Sequence, residues 1–92
     1  MERDALLKIE RAAEQVEVAR ALSGVGRDAE AIALLWDALP VLERRLGEYH
    51  PEVADACETL AEIHQRRGED TEAAMLIERV QLVRPTPLLQ AS

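Results

Sequence analysis

The sequence predicts an all-α protein made of two stacked antiparallel helix pairs. Composition, the spacing of apolar residues and an internal repeat predict this fold class. Alanine, leucine, glutamate and arginine are abundant in the 92 residues, while four glycines, four prolines and no phenylalanine leave little material for hairpins. With 48% hydrophobic and 32% charged residues, the chain has the composition of a globular protein.

The first two predicted helices cover residues 4–22 and 29–46. Apolar residues recur at helical spacing in the first helix, which ends at Ser23 and Gly24. The second helix, with Asp28 as its expected N-cap, is apolar on more than one side, so we expect other helices on both sides of it. Trp36 is then expected in the core, and an exposed anchor is the alternative. Pro40 predicts a kink in this helix and no clean break.

The third helix opens at His50-Pro51, and the fourth covers residues 71–83. In the third helix Val53, Cys57, Leu60 and His64 share an apolar face. Its other face is expected to be polar and consists of Glu52, Asp55, Glu58, Thr59, Glu62 and Gln65. Residues 1–85 are predicted to form one domain and residues 86–92 a C-terminal tail.

An internal repeat relates the two helix pairs. A shift of 42 residues superposes Gly26 on Gly68 and Glu30-Ala31 on Glu72-Ala73. Repeat one covers about residues 4–47 and repeat two about residues 51–84. Four small residues allow close helix packing within each pair: Ala19, Ala31, Ala61 and Ala73.

The second unit carries most of a known repeat signature, W-x2-L-G-x2-Y, then A-x3-F, then P. Cys57 takes the place of the Trp. Leu60-Ala61 corresponds to Leu-Gly and His64 to the Tyr, while Ala73, Ile77 and Pro85 correspond to the Ala, the Phe and the closing Pro. The chain therefore resembles the tetratricopeptide repeat. Its 42-residue period and the stretch LGEYHPEVADACETLAEI are similar to the longer repeats of kinesin light chain and its bacterial relatives. The resemblance implies a fragment of a right-handed solenoid that binds a peptide or helix of another protein.

The resemblance also implies a concave groove formed by the polar faces of the first and third helices. Besides Glu10, the candidate partner-binding residues are Glu17, Arg20, Asp55, Glu58, Thr59, Glu62, Gln65 and Arg66. Since acidic residues outnumber basic ones here, we expect a basic partner segment. A solvated face of an acidic protein is the alternative. With only Arg20 and Arg66 as cations, the groove is not suited to capturing a C-terminal carboxylate.

The last helix is apolar beyond the stripe that it needs for packing, which suggests an alternative function in self-assembly or docking. The candidate self-association surface is Met75, Leu76, Val80 and Val83 with Leu88 and Leu89. The tail, a neighbouring domain or a second copy of the chain are the possible covers, and a homodimer is the expected one.

Charge and motifs argue against several other functions. The net charge of −7 disfavours nucleic acid and anionic membranes, and charged residues interrupt every apolar run. The single cysteine and the absence of a leader favour the cytoplasm, while ten arginines against one lysine are typical of a GC-rich bacterial gene. Cys57 and His64 suggest a zinc or thiol site, but both match core positions of the repeat. We therefore expect no enzyme activity, catalytic residue, metal or cofactor.

Overall fold

The computed structural model describes residues 2–83 of the 92-residue chain. Its helices are α1 (Glu2–Gly24), α2 (Asp28–Leu46), α3 (Pro51–Arg66) and α4 (Asp70–Val83). Since no strand occurs over residues 2–83, the all-α prediction is confirmed. The predicted tail, with Leu88 and Leu89, lies outside the described residues.

The helices pack as two pairs, α1 with α2 and α3 with α4. The pairs are joined mainly through α3, which also contacts α1 and α2. Contacts on two sides of α2 confirm that it lies between other helices. By contrast, no Cα atom of α2 lies within 8 Å of a Cα atom of α4 among the described residues. Helices α1 and α3 therefore form one layer, and the second layer, α2 and α4, is open along its middle.

The core lies where the two pairs meet. Its largest fully buried side chains come from α1, α2 and α3: Val16, Leu35, Leu39, Leu42, Val53, Cys57, Leu60 and Ile63. The four alanines that were predicted to allow close packing are all at most 3% exposed. Small residues are therefore buried between the helices, where they allow close packing.

The turns within the two pairs share one geometry. In the first turn the N–H of Gly26 donates to the carbonyl of Ser23 at 3.1 Å. In the second turn the N–H of Gly68 donates to the carbonyl of Gln65 at the same distance. The two glycines have φ angles of +83° and +78°. The 42-residue repeat in the sequence is thus also a repeat in backbone geometry.

Replacing Gly68 by alanine should lower the free energy of unfolding by about 1–2 kcal/mol, because a side chain is strained at positive φ. A Cβ atom added there would meet nothing within 4 Å, so the loss comes from backbone conformation alone. Gly24 is the matched control, since it also has free space but ends α1 without a positive φ. Gly24→Ala should stabilise the protein by about 0.5–1 kcal/mol. Urea denaturation measures both changes, and equal effects of the two substitutions would contradict this explanation.

The helix starts agree with the sequence at α3 and differ from it at α2. His50 is the N-cap of α3, and its Nδ1 accepts the N–H of Glu52 at 3.1 Å. The predicted N-cap of α2, Asp28, is wrong: Arg27 holds that position, and no side chain caps this end. Asp28 lies in the first turn instead, where its carboxylate accepts a hydrogen bond from Arg66. Helix α2 continues through the exposed Pro40 without a break.

Over residues 2–83, no helix has both the length and the apolar composition that a membrane span requires.

Candidate functional site

Arg20 joins the polar faces of α1 and α3 through one hydrogen bond and one ion pair. Its Nε donates to Thr59 Oγ1 at 3.2 Å and its Nη1 donates to Glu17 Oε2 at 3.3 Å. The guanidinium group also lies 3.8 Å from Asp55 Oδ1. Four of the predicted groove residues, two from each helix, therefore lie together.

Thr59 is buried beneath this cluster and is only 3% exposed. Its hydroxyl donates to the carbonyl of Asp55 at 3.0 Å while accepting the hydrogen bond from Arg20. The prediction that Thr59 lies on an exposed polar face is wrong, because α1 packs against α3 here and Arg20 covers the threonine. The Thr59 hydroxyl therefore helps to fix the position of the Arg20 guanidinium group.

A second cross-helix cluster forms around Arg66 near the C-terminal ends of α1 and α3. Its Nη1 donates to the carbonyl oxygen of Ser23 at 3.1 Å. Its Nη2 donates to Ser23 Oγ at 2.6 Å and to Asp28 Oδ1 at 2.8 Å. The sequence assigned Ser23 only to a helix end and missed its part in this face. The 43-residue separation of Ser23 and Arg66 leaves no local sequence signal for their contact.

Next to Arg66 the surface forms an open cavity of about 430 Å³, which is lined by Ser23, Glu62, Gln65 and Arg66. The carboxylates of Glu58 and Glu62 are exposed on the same helix, and the Glu17 side chain is 72% exposed. We call the surface formed by these residues with Arg20 and Asp55 the acidic face. It has four carboxylates and two guanidinium groups, and both guanidinium groups bond to neighbouring side chains.

The candidate self-association surface is divided between core and solvent. Leu76 is 7% exposed and belongs to the core, and the partly buried Val80 packs against that core. Val83 is half-buried, whereas Met75 is 67% exposed. Of the predicted residues within the described part of the chain, Met75 is therefore the most accessible to another protein.

Trp36 is 49% exposed, so the expectation that it lies in the core is wrong. It is on the side of α2 that faces the open middle of the second layer, because α4 does not approach α2 closely there. A signal for this exposure was present in the sequence. The 42-residue shift superposes Trp36 on Glu78, a charged residue, which is typical of a position that faces solvent.

The surroundings of Cys57 and His64 are those of residues with a structural role. Burial raises the pKa of the Cys57 thiol, which disfavours the nucleophilic thiolate. His64 Nδ1 lies 2.6 Å from Glu69 Oε1, and this hydrogen bond holds the pKa of the Glu69 carboxyl below its usual value. Over residues 2–83, no three His, Cys, Asp or Glu side chains are grouped as metal ligands.

The fold and its repeated turns define a helical-repeat protein. The family model of the tetratricopeptide repeat matches residues 16–52, from the second half of α1 to the start of α3. The match supports the tetratricopeptide repeat that the sequence predicted, and it is consistent with the kinesin light chain-type subgroup. Repeats of this family generally mediate protein–protein interaction and are typically non-enzymatic. No curated protein and no solved structure matches the chain.

Proposed function

We propose that the acidic face binds a basic segment, a peptide or a helix, of another protein, so that the chain acts as an adaptor or scaffold. The observation that carries the proposal is the pairing of both arginines on this face with residues of the chain itself. Arg66 bonds to Ser23 and Asp28, and Arg20 bonds to Glu17 and Thr59. Their positive charges are thus partly neutralised within the protein, while Glu58 and Glu62 remain exposed to solvent.

The electrostatics of the whole chain favour the same kind of partner. A net charge of −7 attracts a cationic segment from a distance and increases its association rate, especially at low salt. Each exposed charge pair contributes only about 0.2–1 kcal/mol, so several pairs together must provide affinity and register. The cavity beside Arg66 adds the side-chain amide of Gln65 and the hydroxyl of Ser23 as polar contacts.

A displayed library of random peptides, selected on the full chain, tests this proposal. We expect the selected peptides to be rich in Lys and Arg. The double substitution Glu58→Gln and Glu62→Gln should weaken their binding about fivefold or more and reduce its salt dependence, because two favourable charge pairs are lost. Fluorescence anisotropy at two salt concentrations measures both effects.

The matched control is Glu30→Gln with Asp37→Asn, which removes the same amount of charge from exposed positions of α2. This variant should bind the selected peptides nearly as tightly as the wild type. Selected peptides without an excess of basic residues, or equal losses in the two double variants, would contradict the proposal. Equal losses would indicate an effect of net charge and not of a binding face.

A second candidate function is self-association through α4, which the exposure of Met75 favours. A charge at this position, as in Met75→Glu, would then shift a dimer to monomer in light scattering. A wild-type chain that stays monomeric over a broad range of concentrations would rule this function out.

We further propose that the chain works in the cytoplasm. The proposal is supported by Cys57, whose thiol is free and buried, as suits a reducing compartment.

A further inference from the structure

Both aromatic residues of the chain are exposed to solvent. Trp36 is 49% exposed and Tyr49 is 62% exposed. Trp36 lies on α2, and Tyr49 lies in the turn that follows it. In a protein with so few aromatic side chains, each would bury considerable apolar area if it were in the core. Their exposure on α2 and in the turn after it marks this side of the molecule as suited to contact with another molecule.

Two cavities lie along this side, in the opening between α2 and α4. Trp36, Met75 and Leu76 provide the apolar lining of the first, which has a volume of about 550 Å³. Tyr49 and Leu82 line the second, which has a volume of about 230 Å³. Arg79 lines both cavities, so they are adjacent. We call this surface the α2–α4 seam.

An ion pair bridges α2 and α4 within the seam. The guanidinium group of Arg79 on α4 bonds to the Glu43 carboxylate on α2, and both side chains are about one-third exposed. Partial burial by itself would lower the pKa of Arg79, but the hydrogen bond with Glu43 and the attraction of nearby acidic groups together outweigh it, and the pKa is raised. The ion pair spans the gap between the helices and leaves a site on either side of it, each with one exposed apolar side chain of α4, Met75 or Leu82.

We propose that the α2–α4 seam binds an amphipathic helix of another protein, which carries two apolar anchors two turns apart and basic residues beside them. Met75 and Leu82 are seven residues apart on α4 and are 67% and 70% exposed. Seven residues of helix span about 10.5 Å, so a partner helix aligned with α4 brings anchors at i and i+7 to the two sites. Exposed Trp, Tyr and Met side chains are the types enriched at the centres of protein interfaces.

The charges around the seam indicate which charged residues the partner helix carries beside its anchors. Glu72 and Glu78 line the first cavity and Glu48 lines the second. The guanidinium group of Arg79 is engaged by Glu43. A helix with Lys or Arg beside its anchors therefore complements the seam better than a second copy of this chain, which also carries a charge of −7. The seam lies on α2 and α4 and is separate from the acidic face, so its occupation does not depend on the function proposed for that face.

Trp36 provides a direct test, because it is the only tryptophan and its fluorescence reports on the seam without any substitution. A displayed library of helical peptides of about 18 residues, five turns, is selected on the full chain. We expect selected helices to carry apolar residues at i and i+7 with Lys or Arg nearby. Their binding should shift Trp36 emission to shorter wavelength and protect it from acrylamide. Met75→Ala and Leu82→Ala should each weaken binding about tenfold.

Two controls separate the seam from other surfaces. Leu7→Ala and Val25→Ala remove exposed apolar side chains of α1 and of the turn after it, and should leave binding unchanged. The variant Glu58→Gln with Glu62→Gln should also bind the helices normally, so a failure of the acidic face and a failure of the seam are distinguishable. Selected helices that bind Met75→Ala and Leu82→Ala as tightly as the wild type would overturn the proposal.

The accessibility of Trp36 to a quencher in the free chain is a second test. In the absence of peptide we expect acrylamide to quench it readily at all protein concentrations. Protection that increases with protein concentration would mean that a second copy covers the seam. Protection that is already present at the lowest concentration would mean that the chain covers its own seam. Either result would overturn the proposal of a separate partner.

Discussion

Replacement of Leu60 by alanine is expected to lower the free energy of unfolding by about 2–5 kcal/mol. Leu60 is completely buried on α3, the helix that contacts the other three, so its loss leaves a cavity at the junction of the two pairs. A domain of this size is stable by only about 5–15 kcal/mol, so the variant loses a large fraction of its stability. Chemical denaturation followed by far-UV circular dichroism measures the change.

Leu82→Ala is the control for this prediction, because it removes the same side chain from a position that is 70% exposed. We expect its stability to lie within about 0.5 kcal/mol of the wild type. A loss of less than about 1 kcal/mol for Leu60→Ala would mean that α3 is not the centre of the core.

Enlarging Ala31 to leucine should destabilise the protein by about 1–3 kcal/mol. Ala31 is fully buried on α2, and α1 and α2 pack closely where the chain has small residues. A larger side chain forces the two helices apart or adopts an unfavourable rotamer. Thermal unfolding and chemical denaturation both detect the loss.

Ala33→Leu is the matched substitution on the same helix. Ala33 is exposed, and the 42-residue shift superposes it on Met75, a large residue that is also exposed. Its stability should therefore change by no more than about 0.5 kcal/mol. If Ala31→Leu were as stable as Ala33→Leu, the close packing of α1 on α2 would be refuted.

The sequence was sufficient to predict the helices, because their apolar spacing and their stop residues are local signals. The start of α3 was specified in the same way by His50 and Pro51, whose side chains act within one turn. The repeat added the positions of the small buried residues. These features depend on residues that are close together in the sequence, so they can be predicted from the sequence alone.

Burial at equivalent positions of the two repeats was not predictable in this way. Val18 and Leu60 are equivalent, yet Val18 is 51% exposed and Leu60 is fully buried. The difference arises because α3 lies against both helices of the first pair, whereas the described residues supply no such neighbour for the outer side of α1. Apolar periodicity identifies the faces of a helix but not which of them another helix covers.

The candidate sites show the same limit. Glu62, Gln65 and Arg66 could be grouped from the sequence because they lie on one helix, whereas Ser23 joins them only through tertiary packing. Thr59 was assigned to the solvent side although Arg20, 39 residues away, covers it. Trp36 and Tyr49 meet α4 side chains along a gap that depends on how far apart α2 and α4 lie.

The most direct test of the central claim, that the acidic face binds a basic segment, is an NMR titration of the full chain with a basic peptide selected on it. We predict that backbone amide shifts will concentrate at Glu58, Glu62, Gln65 and Arg66 and at Glu17 and Ser23 on α1. Amides around Trp36 and Met75 should remain unchanged. Shifts confined to the α2–α4 seam, or small shifts spread evenly over all four helices, would contradict the claim.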